Sequence, residues 1–469
     1  MPTVTGRTST MTPRFLGSQP PSSHLYGSML LEAIQKGNDA EALKLIQNKP
    51  TQIASFDAIR DEEQRTPLLT AILCKRLSIF QALLKAHSSA GASVDAFDKT
   101  LSHALIHAAR KNLGPEFLTP ILNQTRRPID TKDGEGMTAL MHAALRGNPQ
   151  TVQMLLQRGA RVDVTDNTGK NALMYACIHG NPDLVEVLAK HSSASLNAVD
   201  SENHYSALMH AISSEQTEAV RRLLRHATID SNLADKENQK TALMMAAEGG
   251  DPDLTRLVVY HKGTDLNKRD LKKQTAFHYA VQAGKIQNVR VLVHHQANVN
   301  AADQDFNTPL MRAVTHRKPS LEMVNALLQA PTMLVDARNK DKQSALMLAS
   351  AKTKNMPGIL ESLLNKGASA SAIDGEGKPA LIYAVEHERF EYIPVLLPKT
   401  DAQILGLWLH RLGIEKAGRT ELLKTKDKLI AELQKLILLQ KQQIDELKNK
   451  PFNPGNNEND GNNGNTGGE

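Results

Sequence analysis

The sequence predicts an all-α solenoid of about eleven helix-turn-helix units with short turn or hairpin tips, followed by a C-terminal helix with a coiled-coil pattern. A motif of the type Thr-Ala-Leu-Met returns along the 469 residues, its spacing is nearly constant, and two apolar helical patterns accompany each copy. A fixed period with two amphipathic helices per unit is typical of repeat proteins, in which only stacking of neighbouring units buries the apolar faces.

The motif is clearest at Thr138, where the sequence reads TALMHAALRGN. Its leucine, or a phenylalanine in the same place, recurs at intervals of 33 to 36 residues. Weaker copies begin at Arg65 and Ser102, and a degenerate first copy begins at Ser28. In the strong copies this residue is Leu140, Leu173, Leu208, Leu243, Phe277, Leu310, Leu346 and Leu381.

Each unit contains residues that favour turns and helix ends. Around the first strong copy, Gly136 suits a turn that needs a positive φ, and Thr138 is placed to cap the first helix. Gly147 suits the end of that helix, while Asn148 and Pro149 suit the start of the second. The sequence therefore predicts helix, tight turn and helix. The same pattern recurs as Gly180-Asn181-Pro182 and Gly250-Asp251-Pro252.

The apolar residues of this unit define the faces that must be buried. Residues 139–144 form the apolar face of the first helix, and Val152, Leu155 and Leu156 recur at helical spacing in the second. We expect these faces to pack against the neighbouring units.

A period near 33 with this order of turn and helices resembles the ankyrin repeat. The resemblance covers about residues 28–398. Ankyrin families usually carry His after the motif leucine, where it links helix and turn by hydrogen bonding, and only His278 retains that residue here. Methionine offers adaptable apolar packing and no donor, so we expect core filling rather than metal binding. The methionines in this slot are Met141, Met174, Met209, Met244, Met311 and Met347.

Several turns depart from the family pattern. Lys273, Phe306 and Lys342 occupy the position that the family prefers to fill with glycine, so these residues either adopt a strained positive φ or reshape the turn. Asn203 and Asn238 stand in turns that are one residue longer. Since asparagine tolerates a positive φ, we expect these two residues to supply it.

The C-terminal part of the chain predicts two further helices. Ile404, Trp408 and Leu412 share one helical face, which would cover the last repeat. Apolar residues then recur every seven positions, which predicts a homodimer through residues 420–448, although a wider apolar stripe equally favours packing against the repeats. The predicted segments are a disordered stretch at 1–27, the solenoid at 28–400, a capping helix at 401–416, an amphipathic or coiled-coil helix at 417–450 and a disordered Asn/Gly-rich tail at 451–469.

Composition disfavours several function classes. The net charge is +6, but the basic residues do not form a dense stripe with interleaved aromatic residues. This distribution disfavours nucleic acid as a partner. Cys74 and Cys177 are too few for a disulfide framework and favour a reducing compartment. No secretory signal or apolar run long enough to span a membrane occurs, so we expect a cytoplasmic protein. Met-rich repeats and an Asn-rich tail also resemble ankyrin effectors that intracellular bacteria deliver into the host cytosol.

Catalytic signals are weak. Cys177 and His179 could suggest a thiol nucleophile and its base, but Cys177 replaces an interior alanine of the family pattern. No cofactor, metal or catalytic residue is predicted. Two alternatives remain open, namely an enzyme with a cryptic Cys/His site and a nucleic-acid binder that uses Lys240, Lys272, Lys273 and the basic C-terminal helix.

The ankyrin resemblance implies a non-enzymatic scaffold that binds partner proteins through its turn tips and first-helix surface, which form a concave groove in that family. Tyr205 and Phe306 are the strongest candidates because aromatic tips bury much area with little loss of rotamer entropy. The predicted protein-binding residues are Arg146, His179, Tyr205, Lys240, Lys272, Phe306, His316 and Lys352, within a wider exposed set that adds Met137, Leu145, Lys170, Gln274, Asn307 and His387.

Overall fold

The computed structural model describes residues 23–48, 55–86, 92–191, 195–353 and 356–411. Within them the chain forms 23 α-helices and no strand, which confirms the predicted all-α repeat fold. The chain divides into two compact units, residues 1–298 and residues 299–469. The described helices amount to eight repeats in the first unit and three in the second, so the expected number of about eleven is correct.

The first unit consists of eight helix pairs, in which the first helix of each pair packs against the first helices of its neighbours. Second helices pack against one another in the same way, so each repeat buries apolar surface on two sides. Its helices are α1 (Ser23–Lys36), α2 (Asp39–Gln47), α3 (Pro67–Leu73), α4 (Leu77–Lys85), α5 (Ala104–Arg110), α6 (Pro115–Gln124), α7 (Ala139–Leu145), α8 (Pro149–Gln157), α9 (Ala172–His179), α10 (Pro182–His191), α11 (Ala207–Ser213), α12 (Thr217–Leu223), α13 (Ala242–Glu248), α14 (Pro252–Tyr260), α15 (Ala276–Gln282) and α16 (Ile286–His294).

The second unit has three helix pairs and one further helix. Its first helices also pack side by side, and the last pair ends in short helical turns around Phe390–Tyr392 and Leu397–Lys399. Its α-helices are α17 (Pro309–Val314), α18 (Leu321–Leu328), α19 (Ala345–Lys352), α20 (Pro357–Asn365), α21 (Ala380–Glu386), α22 (Ile393–Leu396) and α23 (Ala402–Arg411).

Hydrogen bonds at the start of some first helices show that methionine can take the acceptor role of histidine in this slot. Thr138 caps α7, because its Oγ1 accepts the N–H of Met141 at 3.3 Å. The sulfur of Met141 in turn lies 3.4 Å from the N–H of Thr138 and accepts it weakly. In α15 the Nδ1 of His278 accepts the N–H of Thr275 at 3.1 Å. The sulfur of Met141 therefore accepts the N–H of the capping residue, as the imidazole of His278 does in its own repeat.

The first helices are short and almost wholly buried. Residues 139–144 are all buried, as the motif predicts, and Met141 is 1% exposed. In the second helix Val152 and Leu155 are buried, whereas Leu156 is only half-buried. Each fully buried aliphatic side chain contributes about 1.5–3 kcal/mol. Core filling by the methionine slot is thus consistent with the structure of the repeats.

Neighbouring turn tips are joined by a ladder of backbone hydrogen bonds. The N–H of Gly134 donates to the carbonyl of Thr100 at 2.8 Å, and the N–H of Ser201 donates to that of Thr168 at 2.9 Å. Because the partners lie one repeat apart, the ladder fixes the register between successive tips. Further rungs are Lys99 to Glu63, Asn167 to Glu135, Lys236 to Asn203 and Leu271 to Asn238 in the first unit, and Lys340 to Asp305 and Gly375 to Asp341 in the second.

Backbone conformation at the tips agrees with the prediction in most turns but not in the longer ones. Gly136 has φ 79°, as the sequence predicts, and Lys273, Phe306 and Lys342 follow the first of the two predicted alternatives, a positive φ. In the longer turns the positive φ belongs instead to the following residues, His204 (58°) and Gln239 (59°). The prediction for Asn203 and Asn238 is wrong because their backbone groups serve the tip ladder.

The Gly-Asn-Pro pattern at the ends of the first helices is confirmed in part. Gly147 and Gly180 have φ of 68° and 85°. Gly250 does not adopt a left-handed conformation, although the side chain of Asp251 does cap α14 by accepting the N–H of Asp253 at 2.8 Å. The glycine of this pattern is therefore not a fixed requirement of the turn.

The predicted boundaries shift at both ends of the described chain. Helix α1 begins at Ser23 rather than after residue 27, and Tyr26 is buried with its hydroxyl donating to the carbonyl of Leu45 at 2.5 Å. In α23 the buried residue is Leu405, while Ile404 is only half-buried. The predicted coiled-coil helix, the homodimer segment and the C-terminal tail lie outside the described residues, and so does the side chain of Trp408. No helix in the described part is long and apolar enough to cross a membrane.

We expect His103 to make the fold sensitive to acid. This residue caps α5, is 1% exposed, and burial, reinforced by the charge of Arg127, lowers its pKa from 6.5 to about 4. The unfolded chain therefore binds a proton near pH 6.5 that the folded chain refuses until about pH 4. Stability should fall by about 3 kcal/mol as pH drops through this window.

The variant His103→Thr tests this expectation, because threonine supplies the same kind of cap, as at Thr138, and cannot titrate. Urea unfolding of both proteins from pH 7 to pH 4, followed by circular dichroism, should show a shallower loss of stability in the variant. Equal slopes in the two proteins would mean that His103 is not the titrating group.

Candidate functional site

An acidic or amide side chain organises each described turn tip from within, and eight of these ten residues are buried. In the tip before α7, the Oδ1 atom of Asp133 accepts the N–H groups of Glu135 and Met137 at 3.0 and 2.9 Å. These bonds satisfy backbone donors that the tight turn would otherwise leave unpaired. The residues that accept tip N–H groups in this way are Asp61, Asp98, Asp133, Asp166, Asp200, Asp235, Asp270, Asp303, Asn339 and Asp374.

The second carboxylate oxygen usually joins the tip to the first helix of the same repeat. Oδ2 of Asp133 lies 2.8 Å from Nε2 of His142, nine residues later. We call this pairing the tip clamp. It recurs as Asp98 with His107, Asp166 with Tyr175, Asp200 with His210, Asp270 with Tyr279, Asp303 with Arg312 and Asp374 with Tyr383.

The electrostatics of the clamp favour an ionised acid. Burial alone would raise the pKa of Asp133, but hydrogen bonds from His142 and from the tip backbone outweigh it and hold the pKa below its usual value. The same balance lowers the pKa of Asp98 and Asp374. These three clamps thus favour a negative charge just beneath an exposed tip.

Sequence reasoning missed the tip clamp, although a signal for it is present. An acid or amide precedes the motif leucine by seven or eight residues, and a donor such as His, Tyr or Arg follows it by two. The first-helix histidines His107, His142 and His210 are therefore structural partners of the tips.

Five predicted binding residues belong to the first unit. Arg146 and His179 are exposed at the ends of α7 and α9, and Lys272 is exposed at a tip. Tyr205 and Lys240 are half-buried and line one cleft, so the structure brings these two together.

The other three predicted residues belong to the second unit. Phe306 is 55% exposed at a tip, and Lys352 is exposed at the end of α19. His316 is half-buried, and its Nδ1 lies 2.9 Å from the carbonyl of Lys318.

Two residues of the wider predicted set are not surface residues. Met137 is 5% exposed and Gln274 is 9% exposed, so both predictions are wrong. Each directly follows the left-handed residue of its tip, and its N–H donates inward to the buried Asp.

The cleft lined by Tyr205 and Lys240 lies between two repeats of the first unit. Its walls include Ile212 of α11 and Met245 and Glu248 of α13. The Lys240 ammonium pairs with Glu248 and lies 4.5 Å from the centre of the Tyr279 ring. The ring of Tyr205 packs edge-on at 5.6 Å from that of His210. Tyr205 therefore both supports its own tip and faces a cavity.

The candidate thiol chemistry has an unfavourable environment. Cys177 is fully buried, and that burial raises the pKa of its thiol, so the reactive thiolate is disfavoured at neutral pH. His179, its proposed base, is exposed at the end of α9. Among the described residues no group of three His, Cys, Asp or Glu side chains could hold a metal ion.

Comparison with known proteins gives a consistent result. The family model described as "Ankyrin repeats (3 copies)" matches residues 105–200, 192–270, 243–339 and 320–405. Inversin of Canis lupus familiaris is 30% identical over 116 residues, which are 25% of this chain and 10% of Inversin. Neurogenic locus notch homolog protein 1 of Mus musculus is 31% identical over 124 residues, which are 26% of this chain and 5% of that protein.

The matched part of this chain covers a tenth or less of the length of these relatives. Among solved structures, the ankyrin repeat domain of Bcl-3, titled a unique member of the IkappaB protein family, aligns with a TM-score of 0.41 and 23% identity. That alignment covers 57% of this chain and 99% of the Bcl-3 chain.

We expect the tip clamp to contribute strongly to stability. Asp133→Ala removes three bonds to a buried acid and leaves two backbone donors and His142 without partners, so it should cost about 3 kcal/mol. Asp133→Asn should cost less, because the amide oxygen keeps the two tip bonds, as Asn339 does in its own tip. Urea unfolding followed by circular dichroism gives both free energies, and equal losses would show that the tip bonds are unimportant.

Proposed function

Because this chain belongs to the ankyrin-repeat family, we propose that it is a non-enzymatic scaffold or adaptor that binds partner proteins through its turn tips and the exposed surface of its first helices. The proposed contact residues are Arg146, His179, Tyr205, Lys240, Lys272, Phe306, His316 and Lys352. All eight are exposed or half-buried.

The main support for this proposal is the exposed ring of Phe306 on a left-handed backbone. Its ring is 55% exposed although phenylalanine is strongly apolar, and its backbone adopts φ 61°, a conformation that disfavours bulky side chains. Such a residue costs on the order of 1 kcal/mol or more in strain. A glycine would form the same turn without this cost, so the ring has a use other than folding.

Support also comes from the rigidity of the surface that presents these side chains. Within each unit the tip clamps fix most tips to their own helices, and the backbone ladder joins neighbouring tips. A surface that is ordered before binding loses little entropy when a partner docks. We therefore infer recognition by a preformed surface in each unit.

We further propose that the scaffold acts in a reducing compartment such as the cytoplasm, in agreement with the two free cysteines. A narrower form of this proposal is that a bacterium delivers the chain into the cytosol of a host cell, as the Met-rich repeats and Asn-rich tail suggest. Fusion of the full chain to a β-lactamase reporter tests delivery, since only a translocated fusion cleaves a dye loaded into host cells.

The variant Phe306→Gly should separate binding from stability. Removing the ring should lower partner capture on the order of tenfold if it is a major contact, while relief of the strained φ should raise stability by up to about 1 kcal/mol. Partners captured from eukaryotic cell lysate by the full chain are quantified by mass spectrometry, and stability is measured by thermal unfolding.

Lys342→Gly is the matched control, because Lys342 also has a strained left-handed backbone, φ 59°, at an exposed tip of the same unit. It should gain similar stability and retain its partners. Retention of every partner at the wild-type level by Phe306→Gly would contradict the assignment of this tip to binding.

A further inference from the structure

Three consecutive second helices of the first unit carry basic and aromatic side chains at equivalent positions. In α12, α14 and α16 an arginine stands 13 residues after the motif leucine or phenylalanine. The residue four positions later, at or just beyond the helix end, lies on the same face. Both positions are exposed in all three repeats. We call this surface the second-helix face; its arginine row is Arg221, Arg256 and Arg290, and its second row is Arg225, Tyr260 and His294.

The packing of these helices brings the two rows onto one surface. Helix α14 packs against both α12 and α16. Because helices in contact lie about 8–10 Å apart, each row extends over roughly 20 Å. Within a row the residues stand 35 and 34 positions apart along the chain. A basic surface with an interleaved aromatic residue therefore exists in the fold, although no short stretch of sequence shows it.

The second-helix face is strongly basic. Residues 217–226, 252–262 and 286–295 together carry five arginines and one lysine against two carboxylates. This excess of four positive charges is concentrated on three helices of a chain whose net charge is +6. The preceding second helix, α10, has Glu186 at the position of the arginine row, so the basic surface begins at α12.

The ion pairs on this face are of a kind that an anionic partner can replace. Glu218 serves both Arg221 and Arg222, with N···O distances of 3.0 and 3.3 Å. Arg256 pairs with Asp253, and both side chains are about half exposed. Exposed pairs of this type contribute little to stability, so exchanging the carboxylate for a phosphate costs little.

An aromatic cluster lies beside the arginine row. Tyr260 is 66% exposed, and its ring meets that of His295 edge-on with the centroids 4.5 Å apart. The rings of His295 and His294 are in turn 5.0 Å apart. Burial lowers the pKa of His295, and the positive charges of His294 and Arg256 lower it further, which places this guanidinium near the rings. Exposed ring surface and positive charge therefore occur together.

We propose that the second-helix face binds single-stranded nucleic acid, with the arginine row contacting phosphates and the rings of Tyr260 and His294 stacking on bases. Proteins that bind single strands combine a basic surface that follows the backbone with aromatic rings that stack on successive bases. Both elements are present here on three adjacent helices. This inference goes beyond the proposed scaffold function, which uses the tips and the first helices.

The exposed ring of Tyr260 favours a single strand over other anionic partners. In a duplex the bases are stacked inside, so a duplex would engage the arginines and leave the ring unused. An acidic peptide offers carboxylates but no flat base for the ring to cover. Arginine supplies most of the charge on this face, and its planar guanidinium bonds phosphate through two donors at once.

Binding is measured by fluorescence anisotropy with the full chain and a labelled single strand of about 12 nucleotides. If about three phosphates are contacted, the affinity should fall about 20-fold between roughly 50 and 200 mM salt, because counterions are released on binding. A duplex of the same length should bind at least about tenfold more weakly. The strand is tested as RNA and as DNA, and tighter binding of RNA would assign a contact to the 2′-hydroxyl groups.

The variant Tyr260→Ala should weaken binding of the single strand about tenfold, because the stacking of one base is lost. With a strand that carries abasic sites throughout, this variant and the wild type should bind equally weakly, which a merely structural role of the ring would not produce. Leu271→Ala is the matched control, since Leu271 is also 66% exposed and lies at a tip of the same unit. This control should keep the wild-type affinity.

The variant Arg256→Gln should weaken binding about fivefold and lower the slope of log affinity against log salt by about 0.7, because one phosphate contact is lost. Arg161→Gln is its control. Arg161 is exposed, pairs with Asp163 as Arg256 pairs with Asp253, and lies in the loop after α8. The control should change neither affinity nor slope.

Equal affinity for the duplex, an affinity that does not depend on salt, or wild-type binding by Tyr260→Ala would overturn the inference. Displacement of the strand by an equal concentration of polyglutamate would assign the face to an acidic protein and would also overturn it. Partner capture by Phe306→Gly concerns the tips alone, so the scaffold function and the nucleic-acid site can fail separately.

Discussion

The buried acid or amide of each turn tip is the constraint on which the rest of this structure depends. One of its oxygens replaces the missing backbone acceptors of a tight turn, and in seven tips the other bonds the first helix. A turn tip is otherwise the least stable part of a helical repeat, because it has few apolar contacts and many exposed backbone groups. Here it is joined both to its own helix and, through the backbone ladder, to the next tip.

The repeated Ala-Leu-Met motif follows from the burial of its methionine in the core. In three repeats the side chain in this slot also accepts the N–H of the capping residue. Histidine does both at His278, and the sulfur of Met141 or Met347 does so more weakly. In the Met141 repeat the tip clamp adds a separate link between turn and helix, whereas in the Met347 repeat Leu348 stands at the donor position and offers none.

The same constraint separates what the repeats must keep from what they are free to vary. Side chains that donate to the buried acid, such as His142, Tyr279 and Arg312, are interchangeable because each offers a donor at the required distance. The exposed side chains of the tips contribute little to folding, and Phe306 even opposes it. Departures from the shared pattern are therefore found at the exposed positions of the tips, as at Phe306.

The sequence by itself determined the all-α fold, the number and period of the repeats, the positions of most helix ends and the burial of the methionine slot. These features depend on local chemistry, such as the cap at Thr138 and the left-handed glycine at Gly136, which act within a few residues. Only the tertiary structure decided the partners of the tip clamps, the inward direction of Met137 and the left-handed residue of the longer turns. These depend on how each tip folds back on its helix and bonds a tip one repeat away, and no short stretch of sequence specifies that geometry.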